Sequence, residues 1–142
     1  MSDGTIRIVI AGALALHGLG HFGAMAALAW LRVSPASNTG GWLAARSWLV
    51  PSLPEPDLVA SAFWAAALVG FLLAAAGFWG VLVPADLWRP IAVVAAIVSI
   101  AGIVLFAGTW PAFNTIAAIG MNVAVLVALL GLHWPPETLV GR

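Results

Sequence analysis

The sequence has very few charged residues. Asp, Glu, Lys and Arg make up 7% of its 142 residues, whereas hydrophobic residues make up 63%, and the mean hydropathy is +1.11. Soluble domains are about one quarter charged, and a chain this short leaves much of its surface exposed when it folds. Because one small globule cannot bury so much apolar surface, the composition predicts an integral membrane protein whose main partner is the lipid bilayer.

Lysine and cysteine are both missing. All the basic residues are arginine and the formal net charge is zero, so a basic face for nucleic acid is excluded and no nucleic-acid partner is expected. Without cysteine, the chain cannot form disulfides, thiol redox relays, cysteine metal sites or covalent haem attachments.

Four long apolar runs dominate what is present. Each is long enough to form a spanning helix, which takes about 17–25 mainly apolar residues, and prolines mark the ends of the runs. They lack the alternation of a membrane β-barrel. The sequence therefore predicts an all-α, polytopic fold, a four-transmembrane-helix bundle in a single domain. The predicted spans are residues 6–31, 58–83, 91–107 and 112–134.

An even number of spans places both termini on one side of the membrane. Arg7, Arg89 and Arg142 then fall on the terminal side, and Arg32 and Arg46 on the other. Since cytoplasmic segments carry the excess of basic residues, this count favours cytoplasmic termini.

The one long connection, residues 32–57, carries its own apolar segment. GWLAARSWLV, residues 41–50, is too short to span a bilayer and is typical of an interfacial helix. We expect Arg46 to stack on Trp42 four residues earlier while it reaches the headgroups, with Trp48 in the same interfacial layer. A gate or lid over a pocket is the alternative interpretation.

Two histidines lie in the apolar stretch ALHGLGHFGAMAALAW of the first span. His17 and His21 are four residues apart and share one helix face, and His17 lies about 16 Å into the span, close to the bilayer midplane. Ser99 and Asn122 reach similar depths in the third and fourth spans. Polar side chains in a span point into the bundle, so we predict that His17 lies within hydrogen-bonding reach of Asn122 or Ser99, and that the first and fourth helices are adjacent. The whole predicted polar seam comprises His17, His21, Ser99, Asn114 and Asn122.

Three interpretations of the histidine pair compete. In the first, the imidazoles only join helices, through hydrogen bonds worth about 1 kcal/mol each in a bilayer. In the second, the seam orients a small or hydrophobic ligand, or a partner helix, in a pocket of the bundle. In the third, His17 and His21 bind haem or a metal, which requires further ligands. His133 lies about 16 Å from the midplane, so those ligands would come from a second copy in a homo-oligomer or larger membrane complex. No cofactor is therefore predicted, and haem or metal is kept as the alternative.

An enzymatic site is not apparent. The sequence has no Ser/His/Asp set, no glycine-rich phosphate loop and no carboxylate inside a predicted span, and these are the groups from which catalytic sites are usually built. The favoured interpretation is a non-enzymatic binding protein. A His-dependent membrane enzyme is the alternative.

Two stretches of the sequence carry a family resemblance. LHGLGHFGAMAALAW resembles the opening helix of small four-span bacterial membrane proteins with an HGLxH motif, and FNTIAAIGMNVAVLVALL is similar to their last helix. The chain departs from that pattern at Gly20 and in its Trp-rich first loop. The resemblance implies a bacterial plasma-membrane protein and groups His17, His21 and Asn122, but it implies no activity. In span count only, the chain is also similar to the DoxX-like proteins.

Overall fold

The computed structural model describes residues 2–33 and 46–141, and all the regular secondary structure in these ranges is helical. Four of the helices are long and apolar enough to cross a membrane, which confirms the prediction of an all-helical chain with four candidate spans. In chain order they are α1 (Asp3–Val33), α2 (Pro56–Phe78), α3 (Trp88–Leu105) and α4 (Ala112–Leu126), with a π-helical turn at Val127–Gly131 that extends α4.

Helix α2 lies at the centre of the bundle and packs against both α1 and α3. Its most buried residues follow one another in steps of four and three, the spacing of helices that pack side by side at small angles. The opposite face of α2 exposes Val69, Leu72 and Leu73, which suit a lipid environment because lipid tails are as apolar as leucine. The buried face consists of Ala60, Trp64, Ala67, Phe71, Ala74 and Phe78, each at most 1% exposed.

Glycines bring these helices close together. A Cβ atom built on Gly18 of α1 would lie 3.0 Å from the Cβ of Phe71 in α2, and one built on Gly70 of α2 would lie 2.7 Å from the Cβ of Ala95 in α3. A side chain at Gly70 would clash with Ala95, and one at Gly18 would require Phe71 to shift by a few tenths of an ångström. Small residues at such contacts are how membrane helices gain close packing without a hydrophobic driving force between them.

Helix α4 is the least enclosed of the four. It packs along α3 and exposes Phe113, Ile116 and Leu130. The backbones of α1 and α4 do not pack closely, although side chains of the two helices are in contact. We expected the first and fourth helices to be adjacent. In the described residues they are separated by a gap, which the hydrogen bond between His17 and Asn122 crosses.

Several helix ends differ from the predicted spans. Helix α2 ends at Phe78 rather than at residue 83, because the chain turns at Gly80 and Leu82, both with positive φ. Helix α3 starts at Trp88 rather than at residue 91, since Pro90 sits in its first turn, where a missing N–H costs no hydrogen bond. The helical structure of the last span ends at Gly131 rather than at residue 134.

The predicted interfacial helix at residues 41–50 is not confirmed. Residues 46–50 form extended and bent backbone rather than helix, and Arg46 and Trp48 are exposed. Trp48 Nε1 donates a hydrogen bond to the carbonyl oxygen of Val104 at 2.6 Å, which ties this segment to the end of α3. Trp42 lies outside the described residues, and so does its expected contact with Arg46.

Arg89, in the first turn of α3, holds the chain that follows α4. One terminal nitrogen of its guanidinium donates to the carbonyl oxygen of Pro135 and pairs with Glu137, both at 2.9 Å. The other donates to the carbonyl oxygen of Leu129 at 3.3 Å. Arg89 thereby fixes the last turn of α4 against the start of α3.

Candidate functional site

A chain of hydrogen bonds joins three helices in the middle of the bundle. His17 Nε2 of α1 lies 2.8 Å from Asn122 Oδ1 of α4. Asn122 Nδ2 donates to Ser99 Oγ of α3 at 2.7 Å, and Ser99 Oγ lies 3.1 Å from His21 Nε2, back on α1. Ser99 and Asn122 are fully buried and His21 is 6% exposed, so the hydrogen bonds among these three residues are shielded from solvent. The structure thus brings four of the five predicted seam residues together.

The chemistry of the amide and hydroxyl groups determines which atom donates and which accepts in each of these hydrogen bonds. Asn122 Oδ1 can only accept, so His17 Nε2 must carry the proton. Ser99 Oγ already accepts from Asn122, and among the described residues its own O–H has one acceptor within reach, His21 Nε2. A ring that accepts at Nε2 is neutral and carries its proton on Nδ1. The two histidines therefore have opposite tautomers, with the proton on Nε2 in His17 and on Nδ1 in His21.

Phe71 supports both rings from α2. Its ring meets the His17 ring edge to face at a centroid distance of 4.7 Å and lies parallel to the His21 ring at 6.3 Å. The two imidazoles are themselves edge to face at 5.3 Å. Gly18 allows Phe71 to pack this close to α1, because a side chain at position 18 would force Phe71 to shift. Packing and hydrogen bonds together hold both imidazoles in fixed orientations.

Ser99 and Asn122 occupy core positions of their own helices. In α3 the buried stripe runs through Ala92, Ala95 and Ala96 to Ser99, and these small side chains let α3 approach its neighbours. In α4 the buried residues include Asn122 and Val125. Each polar group thus replaces an apolar one in a packed stripe, and it is stable there because its hydrogen bonds are satisfied.

A cavity of about 370 Å³ lies beside the histidines, towards the side of the bundle opposite the termini. Both imidazole rings line it, with Trp64 of α2, Trp110 before α4, and Asn114 and Thr115 in the first turn of α4. The indole rings of Trp64 and Trp110 meet edge to face at 5.7 Å. None of the described residues that line the cavity carries a formal charge, so it is a mainly apolar space with a few polar groups.

The wall of this cavity between α1 and α4 is made of very small residues. Gly20, Gly23 and Ala24 contribute from α1 and Ala118 from α4. A Cβ atom built on Gly20 or Gly23 would meet no atom within 4 Å. The cavity therefore reaches the gap between the two helices.

A second cavity, of about 240 Å³, lies in the same gap on the terminal side. Ile10 and Leu14 of α1 and Met121 and Val125 of α4 are among its lining residues, and its surface is almost entirely apolar. The contact between His17 and Asn122 lies where the two cavities approach each other, since His17 lines the first cavity and Asn122 follows Met121, which lines the second. The histidine contact thus spans the gap at the point where its polar and apolar halves meet.

The remaining predicted site residues lie apart from the hydrogen-bond chain. Asn114 lines the cavity but is exposed, and within the described residues its side chain forms no hydrogen bond. His133 follows α4 in an exposed turn with positive φ. Trp64 and Trp110 also line the cavity, and sequence reasoning missed both. The signal was the spacing of Trp64 and Phe71, which puts Trp64 on the buried face of α2.

The described residues include no group of three or more His, Asp or Glu side chains that could hold a metal ion. The histidine pair contributes two nitrogens at most, and both Nε2 atoms are occupied by Asn122 and Ser99. Asn122 also interrupts any path for protons along the chain, because an amide nitrogen does not readily exchange roles as donor and acceptor. What the arrangement can do is orient a molecule in the cavity through the two imidazole rings that line it.

Comparison of the chain with known protein families, with curated proteins and with solved structures finds no match.

Proposed function

We propose that this chain is a multi-pass membrane protein that binds a small, mainly apolar ligand in the cavity beside His17 and His21, without catalysing a reaction. One observation carries the proposal: both rings are locked through Nε2, yet within the described residues neither Nδ1 has a hydrogen-bond partner. Histidines that served only to join helices would be expected in a filled interior, because protein cores are packed without large voids. Here they line 370 Å³ of space.

The cavity has the features of a ligand site rather than of a packing defect. Its volume falls in the range of small-molecule sites, about 300–1,000 Å³, and such sites combine apolar walls with a few fixed polar groups. Trp64 and Trp110 supply the apolar wall, and His17 and His21 supply the fixed polar groups.

We further propose that the four spans cross a bacterial plasma membrane with both termini in the cytoplasm. Arg7 and Arg89 support this orientation, since they lie on the terminal side and basic residues are enriched on cytoplasmic segments. Arg7 stacks over Trp79 at 4.5 Å, an arrangement suited to the interface between lipid and water. Self-association or a larger membrane complex is compatible with the open gap between α1 and α4.

Filling the cavity tests the proposed function. Ala118→Phe places a ring in the cavity, whereas Ala117→Phe adds the same ring to an exposed neighbouring position of α4. Organic extracts of the two purified variants and of the unmodified protein would be compared by mass spectrometry. We expect a small molecule that co-purifies with the unmodified protein and with Ala117→Phe but is depleted at least tenfold from Ala118→Phe. Identical extracts from all three proteins would count against the binding site.

A further inference from the structure

The direction of the hydrogen-bond chain determines what the two rings offer to a ligand. Since His17 carries its proton on Nε2, its Nδ1 is a hydrogen-bond acceptor. Since His21 accepts at Nε2, its Nδ1 carries a proton and is a donor. Two identical side chains, one helical turn apart, thus present complementary groups to the same cavity.

We infer that the cavity selects a neutral ligand with a hydroxyl group, whose O–H donates to His17 Nδ1 and whose oxygen accepts from the Nδ1–H of His21. This inference rests on the proposed binding function and names the class of ligand. A hydroxyl group is both donor and acceptor at a single atom. The ring centroids are 5.3 Å apart, so the two rings are close enough for one oxygen to contact both, since two hydrogen bonds that meet at a tetrahedral oxygen join atoms about 4.7 Å apart.

The cavity also discriminates against charged ligands. No formal charge lines it among the described residues, and burying an ion without a counter-charge in an apolar site is very costly. A carboxylate offers no proton to His17, and an ammonium offers no lone pair to His21. An ether or a ketone satisfies His21 alone and leaves the His17 acceptor without a donor.

The apolar part of the ligand is expected to be flat. Trp64 and Trp110, which line the same cavity as the histidines, meet edge to face at 5.7 Å, and aromatic rings favour stacked or edge-on contacts with other rings. A hydroxyl on a fused aromatic system therefore suits both the histidines and the tryptophans.

The test uses the isotope-labelled full chain in lipid nanodiscs. The sequence has three histidines, so nitrogen-15 labelling of histidine gives one pair of ring signals from each of His17, His21 and His133. In the free protein we expect His17 to have its proton on Nε2 and His21 to have its proton on Nδ1. Naphthol, its methyl ether and unsubstituted naphthalene are then titrated as probes.

We expect naphthol to shift the Nδ1 signals of His17 and His21 and to bind at least tenfold more tightly than its ether or naphthalene. The exposed His133 is the internal control, because probe that merely dissolves in the lipid would not selectively shift the two rings that line the cavity. In His17→Phe, which keeps the aromatic volume but loses the acceptor, naphthol and its ether are expected to bind equally.

The failures of the two proposals are distinguishable. If all three probes shift the signals of His17 and His21 with equal affinity, the binding site stands and the hydroxyl selectivity is overturned. If none of them shifts either ring, both the binding function and the selectivity are overturned. Identical tautomers at the two histidines, measured in the unmodified protein, would also overturn the selectivity without recourse to any variant.

Discussion

Asn122 uses both ends of its amide. Its oxygen accepts from His17 on α1 and its nitrogen donates to Ser99 on α3, at 2.8 and 2.7 Å. Leucine has a similar volume but makes neither bond, and aspartate has no donor for Ser99. The side chain is fully buried, so water cannot replace a lost partner. Three helices are therefore connected through one residue.

Replacement of Asn122 by leucine should destabilise the protein by about 1–2 kcal/mol, the scale of interhelical hydrogen bonds in bilayers. The loss arises because His17 Nε2 loses its acceptor and Ser99 loses one of its two partners. Asn114→Leu, in the same helix, is the matched control and should change the free energy of unfolding little, since Asn114 is exposed. Steric trapping in bicelles measures both. Equal stabilities for the two variants would contradict the role of Asn122.

The purified protein is expected to be colourless and to contain less than one equivalent of any transition metal. The reason is the ligand set: in the described part of the chain no three metal-binding side chains converge, and structural metal sites typically need four ligands. A visible absorption spectrum and elemental analysis make the measurement. A Soret band, or stoichiometric metal that is lost in His21→Ala, would instead support the haem or metal alternative.

At the scale of the helices, the close contact between α2 and α3 depends on Gly70 having no side chain. Gly70→Ala should destabilise the protein by about 1–3 kcal/mol, the usual cost of overpacking, because the new Cβ would lie 2.7 Å from that of Ala95. Gly120→Ala is the control, since a Cβ there would meet nothing within 4 Å. That variant should be neutral or more stable by up to about 1 kcal/mol, from the higher helix propensity of alanine. Titration with denaturing detergent compares the two, and equal effects would contradict the close approach.

The number of helices could be predicted from sequence, but their ends could not. Hydropathy detects apolar runs, and residues 79–83 are still mainly apolar although the chain turns there. The turn depends on positive φ at Gly80 and Leu82, and leucine gives no sequence signal for such a conformation. Pro90 was misleading in the opposite way, because proline is tolerated in the first turn of a helix as well as before it.

The depth of a residue along its span predicts which residues of the candidate site can meet. The angle of each side chain around its helix axis also determines which of them do. His17, Ser99 and Asn122 were grouped by their rise along the spans, which is fixed by helix geometry. Asn114 is eight residues from Asn122, and at 3.6 residues per turn the two side chains diverge by about 80°. That angle, together with a rise of about 12 Å over the eight residues, puts Asn114 out of reach of the hydrogen-bond chain and leaves it in the wall of the cavity. The cavity itself could not be predicted, because it depends on how far apart α1 and α4 lie.

At the scale of the whole molecule, reporters fused after residue 142 and inserted after residue 40 should fall on opposite sides of the membrane. The even number of spans requires this separation, and the arginine count places the C-terminal reporter in the cytoplasm. One reporter active only in the cytoplasm and one active only outside it would be placed at each site. Activity of the same reporter at both sites would contradict four spans, whereas exchanged activities would reverse only the orientation.

The long-range contacts of Arg89 at the terminal side could not be predicted from the sequence. Arg89 was counted only as a positive charge, yet it pairs with Glu137 and donates to two carbonyl oxygens near the end of α4. The two side chains are 48 residues apart, and no local pattern connects them. The same contacts fix α4 at the terminal side, while the histidine chain bridges it to α1 at mid-depth.

If the cavity binds a ligand as we propose, the gap between α1 and α4 would make the bilayer part of the binding equilibrium. A ligand that enters between Gly20 and Ala118 would come from the hydrocarbon phase, where apolar molecules are concentrated relative to water. Its dissociation constant, expressed as an aqueous concentration, then contains its partition coefficient. Two ligands with identical contacts in the cavity and a tenfold difference in partitioning would differ by about 1.4 kcal/mol in apparent affinity. The membrane would thus act as a reservoir, and differences in partitioning into it would contribute to the selectivity among ligands.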